Sequence, residues 1–294
     1  MKLDYRSVEE LVSAAESCGK QICQIVMEEQ AEAMGLTCDE AFTLMAYEFQ
    51  VMKQSVTDGM NPDLRSFSGL SGGAAAKMQA AVKEGRSHFG ALFGNAIAMA
   101  IAVAESNSCM GQIVAAPTAG SCGVLPAALI SVMEDQKIGE DTVIMSLFTA
   151  SAIGMVIAKN ASISGAEGGC QAEIGTASAM AAGALTEIFG GSPKMISTSV
   201  AIALKNILGL VCDPVAGLVE VPCIKRNAMG VANAFTACEL ACAGITSAIP
   251  TEEVIHSMKL IGQSIPASLR ETAEGGLAAT PTGCRLCKKI FGNS

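Results

Sequence analysis

The β-branched residues of this chain never settle into a sustained apolar–polar alternation, and no Asn-Gly or Asp-Gly turn joins two strand-like runs. They are dispersed among Ala and Met, residues that favour helix. Ser7 followed by Glu10, and Thr37 followed by Glu40, have capping-box spacing, and each precedes a run with apolar residues at helical intervals. The pattern predicts helices over 8–33, 38–56, 71–84, 88–105, 141–159, 172–189, 195–208, 227–248 and 251–262. No linker rich in Gly and Ser or in Pro divides the chain, and no internal repeat is present. The expectation is an all-α fold, one helical domain over 1–294.

Composition narrows what such a domain does. Half of the residues are hydrophobic and 16% are charged, with no Trp and two Tyr, as expected of helices packed closely through small side chains. A net charge of −9 without basic runs argues against nucleic acid as a partner, because that binding draws on clustered Lys and Arg. Mean hydropathy is +0.42, yet the uncharged run 142–158 has 17 residues and no Trp or Tyr at either end. A spanning helix needs about 20 residues with interfacial anchors, so a buried soluble helix is expected and a membrane is not. The N-terminus, MKLDYRSVEE, carries acids and lacks the apolar core of a signal peptide, which gives the expectation of a cytoplasmic protein. In that compartment twelve cysteines stay reduced, and ligation becomes their main functional use.

Four loops of distinctive composition interrupt the helices: QIVAAPTAGSCGVLP, NASISGAEGGC, GLVCDPVAGLVEVPC and AEGGLAATPTGC. Each brings at least one cysteine, and loops on a rigid scaffold commonly supply functional groups. Cys170, Cys212 and Cys223 stand beside Gly169, Pro214 and Pro222, where turns can aim thiolates at a common point. Cys284 and Cys287 follow in TPTGCRLC. By contrast Cys18, Cys23, Cys238 and Cys242 lie among apolar helical neighbours and read as small hydrophobes. Structural zinc sites draw ligands in close pairs, whereas 41 and 10 residues separate the first three candidates, a spacing that suits a cluster held among loops.

At these residues the chain resembles the α subunit of the iron–sulfur-dependent bacterial L-serine dehydratases. The resemblance runs through SGLSGGAAAKM, APTAGSCGVLP, AKNASISGAEGGCQAEIG, CDPVAGLVEVPCIKRNAMG and RETAEGGLAATPTG, in that order and almost end to end. It implies an L-serine ammonia-lyase that forms pyruvate and ammonia with a 4Fe-4S cluster and no pyridoxal phosphate. Cys170, Cys212 and Cys223 would then hold three irons. In single-chain relatives a cysteine at the extreme C-terminus caps the fourth iron. The segment GGLAATPTGC points to Cys284, although Cys287 follows and the chain continues to Ser294. The family's smaller β domain, with its Ser-Ser-His-Thr type segment, is missing, so the resemblance implies a separately encoded β chain in an α/β hetero-oligomer.

Elimination of water from serine requires removal of a weakly acidic α-proton and departure of hydroxide. An iron with an open position can act as a Lewis acid toward the hydroxyl. A displaced Cys284 thiolate would be placed to act as the base. Lys159 and Asn160 are the further catalytic candidates, and Ser162, Ser164, Glu167, Arg226 and Asn227 are candidates for holding the substrate, a basic group being wanted for its carboxylate and an acid or amide for its ammonium. The SGLSGGAAAK segment lacks nucleotide-loop spacing and is expected to form a turn or to contact the substrate carboxylate through free N–H groups. The alternative from a different class is a non-enzymatic redox-sensing or electron-transfer module with four permanent cysteine ligands.

Overall fold

The computed structural model describes residues 5–292. Among them are thirteen α-helices: α1 Val8–Cys18, α2 Ile22–Met34, α3 Cys38–Gly59, α4 Ala74–Lys83, α5 Ala91–Ser108, α6 Val124–Gln136, α7 Glu140–Asn160, α8 Gly165–Gly168, α9 Thr176–Ile188, α10 Pro193–Lys205, α11 Cys223–Cys242, α12 Thr251–Ser264 and α13 Pro281–Phe291. No strand forms among the described residues; a single parallel bridge joins Cys212 to Arg270. The all-α expectation is met.

The predicted first helix is two. Gly19 takes a left-handed conformation at φ 62° and closes α1, its N–H reaching the Ala15 and Glu16 carbonyls, so the chain turns before α2. The two caps anticipated at Ser7 and Thr37 are present, with Ser7 Oγ accepting from Glu10 N and Thr37 Oγ1 from Glu40 N. Three helices lie where loops were expected: the single turn α8, and α6 and α13. Pro126 falls in the first turn of α6, where a missing N–H is no loss. Pro281 occupies the first turn of α13, which Thr280 caps by accepting from Gly283 N. Helix α11 begins at Cys223, four residues before the expected start, so that cysteine opens a helix instead of ending a loop.

Helix α9 forms the middle of the molecule. Every residue from Thr176 to Glu187 is buried, and α6, α7, α10 and α11 pack around it. Much of this surface is alanine: Ala177, Ala179, Ala181, Ala182 and Ala184 have no measurable exposure. Small side chains let five helices approach one axis, which explains the low aromatic content. Helix α7 is the one described helix long and apolar enough to cross a membrane, and 67% of its apolar window lies inside the protein, packed against α2, α3 and α9. A single apolar core runs from Val8 to Met258. Around one end of α9 and α11 the connecting segments gather, bringing the cysteine-bearing turns together.

Candidate active site

Cys170, Cys212 and Cys223 are all buried, with exposures of 3%, 3% and 7%. Cys170 follows α8 and leads into a five-residue π-helical turn, Gln171–Gly175, a local irregularity often found at functional sites. Cys212 is pinned by the bridge: its N–H donates to Leu269 O at 2.9 Å, and its carbonyl accepts from Glu271 N at 2.8 Å. Cys223 is fixed as the first residue of α11. Three separate backbone devices fix the three thiols, with Cys170 in hydrogen-bond reach of Cys212 and Cys223 close enough to feel the charge of Cys170.

Their electrostatics are mutually dependent. The thiol of Cys170 is held below its ordinary range by a hydrogen bond from Cys212, with burial opposing and the Arg226 guanidinium assisting. Cys212 moves the other way, raised by that same hydrogen bond and by burial. Burial, followed by the charge of Cys170, pushes Cys223 up to about 12. Of the three, Cys170 is the thiol whose ionisation is eased, while that of Cys212 and Cys223 is made harder. Arg226 is the nearby positive charge. It donates through Nη1 to Val211 O at 2.8 Å and through Nη2 to Asp213 Oδ1 at 2.8 Å, and it also reaches Cys170. Asp213 Oδ2 accepts from Leu277 N at 2.8 Å, tying the segment that precedes α13 to the same assembly.

Two carboxylates missing from the sequence-based candidates adjoin the sulfurs. A Cβ placed on Gly165 would stand 2.8 Å from Glu173 Oε2, 2.9 Å from Cys212 Sγ and 3.2 Å from Glu271 Oε2. Only glycine leaves that point clear. Burial raises Glu173, partly offset by a hydrogen bond from Thr118 Oγ1 at 2.8 Å. Glu271 is held at φ 64°, a left-handed conformation disfavoured for a side-chain-bearing residue, directly after the bridge to Cys212. Both acids lie inside quoted motifs, GGCQAEIG and RETAEGG, but only the fold brings position 271 to position 173.

The other candidates divide. Arg226 belongs to the cysteine assembly. Asn227 is fully buried and uses both ends of its amide, Oδ1 accepting from Gly123 N at 2.8 Å and Nδ2 donating to Gly120 O and Cys223 O, so it fastens the GSCG turn to α11. Lys159 donates to Tyr5 O and Asn160 to Arg6 O and Val156 O; these contacts hold the N-terminal segment against α7. Ser162 accepts from Ser164 N at 3.0 Å, and Ser164 precedes α8 without capping it through its side chain. Ser162 and Glu167 line a cavity of about 540 Å³, with Lys259, Arg270 and Thr272 on its other walls. Cys284 is exposed on α13, its thiol 3.8 Å from Ala278 O.

The glycine segment before α4 holds an anion, but one from this protein. Glu105 of α5 accepts from Gly72 N, Ala74 N and Ala75 N at 3.0–3.2 Å, occupying the N–H groups that were expected either to shape a turn or to contact the substrate carboxylate. The hydroxyls of Ser66, Ser68 and Ser71 all donate to Glu220, which lies between Cys212 and Cys223. This loop consequently braces the segment that positions two of the cysteines.

Residues 17–278 match the family described as "Serine dehydratase alpha chain". The chain belongs to that family. It is 50% identical over 290 residues to the probable L-serine dehydratase alpha chain of Bacillus subtilis, covering 99% of this chain and 96% of the relative. It is 41% identical to the L-serine dehydratase alpha chain of Peptoniphilus asaccharolyticus, covering 94% and 95% of the two chains. With the L-serine dehydratase of Streptomyces coelicolor it shares 38% identity, over 97% of this chain but 63% of the relative. Cys170, Cys212 and Cys223 fall inside the family match; Cys284 lies beyond its end.

Proposed function

We propose that this chain is the α subunit of an L-serine ammonia-lyase, in which Cys170, Cys212 and Cys223 hold a 4Fe-4S cluster, Cys284 caps the fourth iron at rest, and a separately encoded β chain completes the enzyme. The observation that carries the reading is the convergence of three buried thiols beside a buried guanidinium. Among the described residues no group of three or more His, Cys, Asp or Glu is gathered about one point as a single metal ion requires. A cluster distributes its protein ligands over several irons, and an all-sulfur donor set suits iron–sulfur chemistry. When bound, the cluster would supply an open iron as Lewis acid for departure of the serine hydroxyl.

The chain's own groups perform the remaining work. Arg226 lowers the cost of negative charge on Cys170 and is itself fixed by Asp213, so ligand charge is balanced inside the protein. Glu173 and Glu271 place two carboxyl groups beside Cys212, and burial favours the protonated form of Glu173, so that it can hold a proton next to the sulfurs. Thr118 orients the Glu173 carboxyl by donating to it. The π-helical turn and the left-handed backbone at Glu271 keep these groups at fixed positions.

The test is anaerobic preparation of the chain with its β partner. A brown chromophore and formation of pyruvate from L-serine are expected, both disappearing when iron is chelated. Full activity in iron-free protein overturns the reading.

A further inference from the structure

We infer that the cavity beside α8 binds the α-amino acid substrate, with Arg270 receiving its carboxylate and Glu167 its ammonium group; this rests on the serine-dehydrating reading above. Arg270 lines the cavity, and its Nε is buried without a hydrogen-bond partner among the described residues. Among the described residues its guanidinium makes one hydrogen bond, a long one from Nη1 to Glu167 O at 3.4 Å. A buried guanidinium donor left unpaired is costly and uncommon, and a planar carboxylate is the acceptor whose shape matches two parallel N–H groups. The structure thus contains one buried guanidinium N–H, at Nε, that lacks its acceptor, beside an Nη1 held only by a long bond.

The cavity walls define that acceptor further. Arg270 and Lys259 supply two positive charges and Glu167 one negative charge in a single space. A phosphate would meet repulsion from Glu167, whereas a zwitterion presents an anion to the cations and a cation to the acid. Ser162 adds a hydroxyl whose oxygen accepts from Ser164 N while its own proton stays free to donate to a ligand. The remaining lining includes Ala161, Ala166 and Ala172, small residues suited to a ligand with a short side chain.

Position ties the cavity to the cysteines. Gly168 and Ala172, which line it, flank Cys170 in sequence, and Arg270 is the bridge partner of Cys212. The bridge uses backbone groups alone. Replacing the Arg270 side chain therefore leaves intact the hydrogen bonds that hold Cys212 to residues 269 and 271.

Steady-state kinetics of the anaerobic α/β enzyme test the assignment, with two inhibitors as probes: 3-hydroxypropionate, which lacks the ammonium, and ethanolamine, which lacks the carboxylate. Arg270→Gln is expected to raise the KM for L-serine by roughly tenfold or more, the usual consequence of losing a charge-assisted bidentate contact. The fall in kcat should be much smaller, inhibition by 3-hydroxypropionate should be lost, and inhibition by ethanolamine should persist. Arg270→Lys should recover part of the affinity. Glu167→Gln should give the reverse pattern, weakening ethanolamine and sparing 3-hydroxypropionate. An unchanged KM in Arg270→Gln, equal weakening of both inhibitors, or a wild-type enzyme indifferent to 3-hydroxypropionate overturns the inference while serine dehydration stands. If wild type forms no pyruvate, the functional reading fails instead. Equilibrium dialysis with radiolabelled L-serine then decides the cavity separately, by binding to wild type and its loss in Arg270→Gln.

Discussion

At the residue scale, the centre depends on one buried cation. Side chains of Arg226 and Asp213 are 13% and 5% exposed and meet at 2.8 Å. Removing one member of such a pair strands the other, at a cost of about 3–5 kcal/mol. Arg226→Met should therefore lower the unfolding free energy by about that amount in urea denaturation under nitrogen. Arg226→Lys should lose less, since it keeps the charge but not the fork that also reaches Val211 O. Equal and small losses in both variants would show that Arg226 is not the fixed counter-charge described here. The three cysteines were legible in the sequence because Gly169, Pro214 and Pro222 mark non-helical backbone beside each. Arg270 and Glu271 were not, because their proximity to Cys212 comes from a bridge spanning 58 positions, and local composition carries no trace of it.

At the scale of elements, the helix starts that were legible had hydroxyl caps: Ser7 and Thr37 announced α1 and α3. Helix α2 has no such hydroxyl. Its N-terminus is served from α9, where Glu187 accepts from Cys23 N at 3.1 Å and from Thr149 Oγ1. That contact crosses 164 positions and cannot be read locally, whereas the accompanying Gln21–Gln24 pair, in which Gln24 Oε1 accepts from Gln21 N at 3.0 Å, lies within the segment itself. Helices α6 and α13 were missed for another reason, since Pro126 and Pro281 read as breakers although the first helical turn tolerates proline. The distant cap has a pH signature. Burial raises the Glu187 carboxyl above its ordinary 4.5, against the lowering effect of the Thr149 and Cys23 hydrogen bonds. An acid whose folded-state value is raised binds its proton more tightly when folded, so stability falls as pH rises from the unfolded value toward the folded one. Glu187→Gln removes that titration. Thermal midpoints of wild type, compared with Glu187→Gln, should thus decline as pH climbs above 4.5 and level off once the folded carboxyl has ionised. A constant difference across the range would count against a raised Glu187.

For the whole molecule, the division between core and periphery falls between Cys170, Cys212 and Cys223, which are buried, and Cys284, the proposed fourth ligand, which is exposed. Cys170, Cys212 and Cys223 are held by α8, the π-helical turn, the bridge and α11; the turn and α11 pack on α9, and α8 packs on the turn and α12. Helix α13 touches the body through the turns at 215–217 and 276–279, and Gly283 is its one buried residue. A ligand carried on such an element can be exchanged at little cost to the fold, as a substrate-displaced ligand requires. Cys284 and Cys287 are three positions apart and share one side of this helix, which is why the TPTGCRLC pattern left both open. The two separate by experiment. Cys284→Ser changes an exposed position, so thermal stability should shift by less than about 0.5 kcal/mol. Serine turnover should nonetheless be abolished, with the chromophore of the anaerobic α/β enzyme altered but retained through its three remaining ligands. Cys287→Ser should leave turnover and chromophore unchanged. Loss of activity in Cys287→Ser alone would transfer the role to that residue, and full activity in both variants would remove α13 from the catalytic centre.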